Sequence, residues 1–128
     1  MSQVQDIHRQ AMDLAEQADL KRLRGETSQV QELLRQALEL EAKAADIVAN
    51  DVAAEPTRSI LHRSAATLAV ECGEFSLTEK LIARALAGVP PSDIASELKD
   101  LFIQINLRNY LDRQGVTLTE DQLQLLSR

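Results

Sequence analysis

Gly25-Glu26-Thr27-Ser28-Gln29-Val30-Gln31 and Gly73-Glu74-Phe75-Ser76-Leu77-Thr78-Glu79 are one turn written twice. Each reads Gly-Glu-x-Ser and then carries Gln or Glu three places after the Ser. Glycine can end a helix in the left-handed conformation, and Ser followed at that distance by Gln or Glu has the form of a capping box that starts the next helix. The pattern predicts helix, tight turn, helix, in two copies. Ala37-Leu38 and Ala85-Leu86 stand equally far from their glycines, so the copies are in register.

Apolar residues at helical spacing extend this plan outward. Val4, Ile7, Ala11, Leu14, Ala15 and Ala18 precede the first glycine, and Leu61, Ala65, Leu68, Ala69 and Cys72 precede the second. Val30, Leu34, Ala37, Leu38, Ala45 and Val48 follow the first, and Leu77, Leu81, Ile82, Ala85, Leu86 and Val89 follow the second as far as Pro90-Pro91. The stripes predict one pair over about residues 3–50 and a second over about 57–89, the first with the longer second helix. Pro56 opens the third helix, and Ser92 with Asp93 opens a fifth that runs to about Asp112.

The fifth helix carries two stripes. Ile94, Leu98, Leu101, Phe102 and Ile105 lie on one side, and Ile103, Leu107, Tyr110 and Leu111 on the other. A single covered face does not use both. Thr119 with Gln122 has the form of a capping box and Leu118 with Leu123 of a hydrophobic staple, so a short last helix is expected through about Leu126, packed on the second stripe. The fold expected is all-α, one domain over residues 1–128, with stacked antiparallel helix pairs, five main helices and a short C-terminal one, the last part spanning about 92–127.

Composition narrows the function classes. Hydrophobic residues make up 45% of the 128 and aromatics 2%, so the core is built from Leu, Ile, Val and Ala. Met1 to Asp6 is polar and acidic where a secretory leader is basic and then apolar, and no run reaches the ~20 apolar residues of a membrane span. Cys72 is the only cysteine, which excludes an intramolecular disulfide and a cysteine-rich metal site and fits a cytoplasmic protein. The net charge of −6 has the wrong sign for nucleic acid or an anionic membrane. Between Glu26 and Glu55 seven acidic residues stand against two basic ones, whereas Pro56 to Gly88 holds four basic and three acidic.

The repeated unit resembles the tetratricopeptide repeat. Ala66, Gly73, Thr78, Ile82, Ala85-Leu86 and Pro90 fall at that family's spacing, with His62, Ala65 and Ala69 in place of its larger first-helix residues. The first copy keeps Ala18, Gly25, Leu34 and Ala37-Leu38, but has Lys21 at an apolar position and Ala42 where Pro belongs. The resemblance covers Leu14 to Pro91 and implies a right-handed stack of helical pairs whose first helices line a groove. It implies Ile60, Arg63, Thr67, Val70 and Glu71 as groove residues of the second copy and Ala15, Asp19 and Arg22 of the first. The stretch His62 to Ile94 also resembles a module of uncharacterised bacterial proteins, a likeness that implies no activity.

Candidate chemistry is sparse. Neither His8 nor His62 has a Glu or His one helical turn further on, the spacing that sets a metal pair. His8 reads as a solvated residue near the N-terminus and His62 as half-buried or facing a partner. Cys72 reads as a small buried hydrophobe, Ser64 lacks a nucleophile context, and Ser76 reads as a helix cap. The glycines stand singly, so no phosphate loop is present and no cofactor is expected. Arg58, His62 and Arg63 form the one basic cluster on a helix, fitted either to answer the acidic stretch Glu26 to Glu55 or to grip an acidic peptide.

The function expected is a non-catalytic module that holds a protein or peptide partner through Ile60, Arg63, Thr67, Val70 and Glu71, with Arg58 and His62 beside them. Self-association as a homodimer through Ile103, Leu107, Tyr110 and Leu111 is a variant of it. The rival is a helical-bundle enzyme or metal-binding protein, which needs inward His and carboxylate sets on adjacent helices.

Overall fold

A computed structural model describes residues 2–116 and 119–126, apart from the side chains of Ser2, Arg108, Leu123 and Leu126. Its helices are α1 (Ser2–Leu23), α2 (Val30–Val48), α3 (Thr57–Glu71), α4 (Phe75–Leu86), α5 (Ser92–Arg113) and α6 (Glu120–Leu126). Short 3-10 turns at Thr27–Gln29 and Val52–Ala54 precede α2 and α3, and the described residues include no strand. Each of α2 to α5 packs on its predecessor, and α5 also touches α3. Leu118 of the expected staple lies outside the described residues.

The repeated turn is real at the level of the backbone. Gly25 and Gly73 have φ of 76° and 74°. The amide of Glu26 donates to Lys21 O and that of Glu74 to Ala69 O, each at 2.8 Å. Gly25 N donates to Arg22 O at 3.1 Å and Gly73 N to Val70 O at 3.0 Å, completing the same Schellman closure in both copies. A third copy follows α5, where Gly115 has φ 79° and Val116 N donates to Leu111 O at 2.8 Å. A Cβ at Gly73 meets nothing within 4 Å, so substitution there is resisted by the backbone alone. Gly73→Val is expected to destabilise by about 1–2 kcal/mol, the cost of a left-handed β-branched residue. Urea titration of the variant checks this.

The start of each second helix differs from the capping-box expectation. Glu26 and Glu74 occupy the entry positions, with matching φ/ψ of −91°/73° and −90°/68°, and neither supplies a side-chain cap. Ser28 lies in the 3-10 turn and Ser76 in the first turn of α4. Glu74 both ends α3's turn and begins α4, and Glu26 does the same for the 3-10 turn that leads into α2, so no linking residue remains for Ser to occupy as a cap. The capping box at Thr119 and Gln122 does form, with reciprocal bonds of 2.9 and 3.2 Å.

Alanine sets the helix spacing. Ala37, Ala44, Ala45, Ala65, Ala66, Ala69 and Ala85 are all fully buried beside Leu34, Leu61, Leu81 and Leu98. Small residues let the backbones approach, while each buried Leu contributes roughly 1.5–3 kcal/mol. Glu55 lies two residues before α3, and its carboxylate accepts from Ser59 N at 2.9 Å and Ser59 Oγ at 2.8 Å. Pro56 precedes α3 through a cis peptide bond.

Candidate functional site

A cleft of about 280 Å³ lies between α1 and α3. Met12, Ala15 and Asp19 form one wall, Arg63, Ser64, Thr67, Leu68 and Glu71 the other, and Leu34 of α2 contributes from between. The first helices of both copies therefore meet at one depression. Five of the residues expected on a groove surface line it, namely Ala15, Asp19, Arg63, Thr67 and Glu71. Ile60 instead packs on the core, Val70 is half-buried outside the cleft, and Arg22 pairs with Asp19 at 3.5 Å.

Arg63 is already engaged. Its Nη1 donates to Glu97 Oε2 of α5 at 3.0 Å, and both side chains are partly exposed. The guanidinium thus links α3 to α5 at the edge of the cleft. Thr67 Oγ1 donates back to Arg63 O at 3.0 Å, which leaves its methyl group and oxygen lone pairs for a ligand. Polar groups over an apolar floor of Met12, Ala15, Leu34 and Leu68 can orient a peptide while burying its side chains.

Arg58 and His62 are not on this surface. Arg58 is 3% exposed and His62 is fully buried. Arg58 Nε donates to Ala49 O at 2.7 Å, Nη2 to Arg84 O at 2.6 Å and Nη1 to Ala85 O at 3.3 Å. One guanidinium therefore satisfies carbonyls at the C-terminal ends of both α2 and α4, where helix dipoles favour a cation. Glu55 Oε2 lies 3.6 Å from Arg58 Nη1. The basic cluster answers the end of the acidic stretch from inside the fold, and neither residue has the access that gripping a peptide requires.

His62 has no nitrogen to spare. Its Nδ1 lies 2.7 Å from Arg58 O, and Arg84 Nε lies 2.8 Å from its Nε2. A guanidinium cannot accept and a carbonyl cannot donate, so Nδ1 carries the proton and the ring is neutral. Arg84 Nη2 is 2.8 Å from Asp46 Oδ1 on α2, an ion pair that lacks hydrogen-bond alignment. Burial pushes the His62 pKa below 6.5, against the hydrogen bond to Arg58 O and with help from the charges of Arg84 and Arg58.

Because the folded pKa is depressed, the unfolded chain takes up this proton first as pH falls below 6.5. Stability is fully present above that value and is lost as pH drops towards the folded pKa. The contribution of His62 to the loss reaches at most about 1.4 kcal/mol per pH unit. A His62→Gln chain should show a flatter profile between about pH 7 and 5. Melting temperatures across that range, compared for the two chains, check this.

His8 is likewise not a free surface group. Its Nδ1 donates to both oxygens of Glu41 at 2.9 and 2.8 Å, and the Glu41 carboxylate is fully buried between α1 and α2. Cys72, expected to be buried, is half-buried. Burial pushes its thiol pKa up, Arg35 opposes this and Glu71 and Glu74 add to it, so the reactive thiolate is disfavoured. Among the described residues, no group of three His, Cys, Asp or Glu side chains could hold a metal ion and no helix is long and apolar enough to cross a membrane.

The second stripe of α5 is present and largely uncovered. Ile103, Leu107 and Tyr110 line a depression of about 290 Å³ together with Phe102, Asn106 and Arg113. Leu111 is half-buried and lies outside it. Helix α6 was expected to pack here, but Ile103 and Tyr110 are 53% and 52% exposed and Leu125 of α6 is 64% exposed. Among protein families, curated proteins and solved structures, nothing matches this chain.

Proposed function

We propose that this chain is a non-catalytic interaction module of tetratricopeptide-like design, which holds a segment of a partner protein in the cleft between α1 and α3. One observation carries the reading: positions that the repeat resemblance assigns to a groove, on two helices far apart in sequence, line a single depression. Its mixture of an apolar floor and polar edges suits peptide recognition. His62 and Cys72, the groups best suited to reaction chemistry, are respectively saturated with hydrogen bonds and disfavoured as a thiolate. No cofactor enters the reading.

Thr67 is the position to block. It is exposed and lines the cleft wall, so Thr67→Arg fills the depression without touching the core. Stability should change by no more than about 0.5 kcal/mol. In affinity capture from the native cell, a protein retained by the wild-type chain should be lost from the variant. Equal retention would place the binding surface elsewhere.

A further inference from the structure

Helix α5 runs from Ser92 to Arg113, yet only its first half is well covered. Ile94 and Leu98 are buried, while Phe102, Ile103 and Tyr110 are 44%, 53% and 52% exposed. Phe102 and Ile103 join two depressions into one groove. The first, about 470 Å³, lies between α4 and α5 and includes Ile82 and Leu86. The second, about 290 Å³, continues along α5 to Tyr110 and Arg113. From Lys99 to Arg113 the helix rises about 21 Å, room for roughly four turns of a docked helix. An exposed apolar surface of this kind marks an interaction site.

The charges at its rim choose the occupant. Lys99 borders the groove at one end and Arg113 at the other, and neither has an ion-pair partner among the described residues. Two copies of this chain, related by a two-fold axis through the middle of the α5 stripe, would bring Lys99 of one against Arg113 of the other. Like charges then oppose each other twice, which disfavours a homodimer at this face. A helix bearing carboxylates meets the same two cations favourably. Glu79 on the α4 bank directs those carboxylates to the α5 side.

We infer that the groove formed by α4 and the C-terminal half of α5 docks an amphipathic helix of a partner protein, with an apolar stripe flanked by Asp or Glu. Its apolar side chains enter between Leu86 and Phe102 and between Ile103 and Tyr110, the helix-in-groove mode of recognition. Its carboxylates, spaced by about four turns, reach Lys99 and Arg113. This surface is separate from the α1–α3 cleft, so the two can be occupied independently.

Two labelled 16-residue peptides test this against the full chain by fluorescence anisotropy. Both carry Leu at helical spacing; one has Glu along the flank and the other has Lys at the same positions. The Glu peptide should bind at least tenfold more tightly, with a gap that narrows as salt is raised. The double variant Lys99→Glu with Arg113→Glu should reverse the preference. Ile103→Ser should weaken the Glu peptide about tenfold, and the exposure of all three positions keeps the melting transition unchanged. Equal binding, a preference for the Lys peptide, or no binding of either overturns the inference. So does a dimer in sedimentation that Ile103→Ser dissociates, which would make a second copy the occupant. A Leu125→Ser chain that gains tenfold in affinity would instead make α6 the occupant.

Discussion

Replacing Arg58 by Met is expected to destabilise the fold by about 3–5 kcal/mol, the range for removing one partner from a buried charged network. The Met side chain fills similar space, so the loss is electrostatic and not a cavity. Ala49 O and Arg84 O lose their side-chain donor, Ala85 O is left with the Gly88 amide alone, and Glu55 loses its nearest cation. Lysine is no substitute, because a point charge on a flexible stem cannot reach three acceptors in a planar fork. Gly88 belongs to the same device: a Cβ there would clash with Arg58 Nη1 and lie 2.6 Å from Cζ. Gly88→Ala should therefore displace the guanidinium and cost about 1–3 kcal/mol, less than Arg58→Met. Guanidinium chloride titrations of the three chains give the order directly.

The second large effect lies between α1 and α2. His8→Ala removes the one side chain among the described residues that hydrogen-bonds the fully buried Glu41 carboxylate, and should cost about 2–4 kcal/mol. The figure sits below the usual range for a broken buried pair because His8 is itself 36% exposed, and water can enter where its ring stood. Glu41→Leu should be nearly neutral, since it replaces the buried charge by packing and leaves His8 at the surface. Adding Glu41→Leu to His8→Ala should recover most of the loss. A cycle of these chains, measured by denaturation, reads the asymmetry; equal losses in both single variants would contradict it.

Both devices were readable in part from the sequence. Arg58 and His62 fall in register with Ala65 and Ala69 on α3, and Glu41 sits between Leu38 and Ala45 on the stripe of α2. His8 follows Ile7 and precedes Ala11 on α1 in the same way. A polar residue on an apolar stripe is a sign of burial with a partner, but polar type alone argues for the surface. The partners come from other helices, and single-helix periodicity carries no such pairing.

The turns were legible because Gly25 and Gly73 do work that few other residues can do. The Ser caps were misplaced because a capping box and a first-turn Ser differ by two positions, which pattern alone does not resolve. On α5 both stripes were evident, yet Phe102 was assigned to the covered one. It faces the groove beside Ile103, since α4 has 12 residues against the 22 of α5 and leaves the later turns of α5 without a neighbour on that side. The cleft between α1 and α3 came from the repeat resemblance, not from periodicity. Arg63, expected either to answer the acidic stretch or to grip an acidic peptide, holds Glu97 of α5, which lies outside that stretch.

Site-specific photo-crosslinking in the native cell tests the interaction reading most directly. A photoreactive residue placed at Thr67 or at Ala15 faces the cleft from either wall, whereas one at Glu39 lies exposed on α2. Adducts of the same mass are expected from Thr67 and Ala15, and none of that mass from Glu39. Adducts from Glu39 alone, or no adduct from either cleft position in a chain of unchanged stability, would contradict a partner held between α1 and α3.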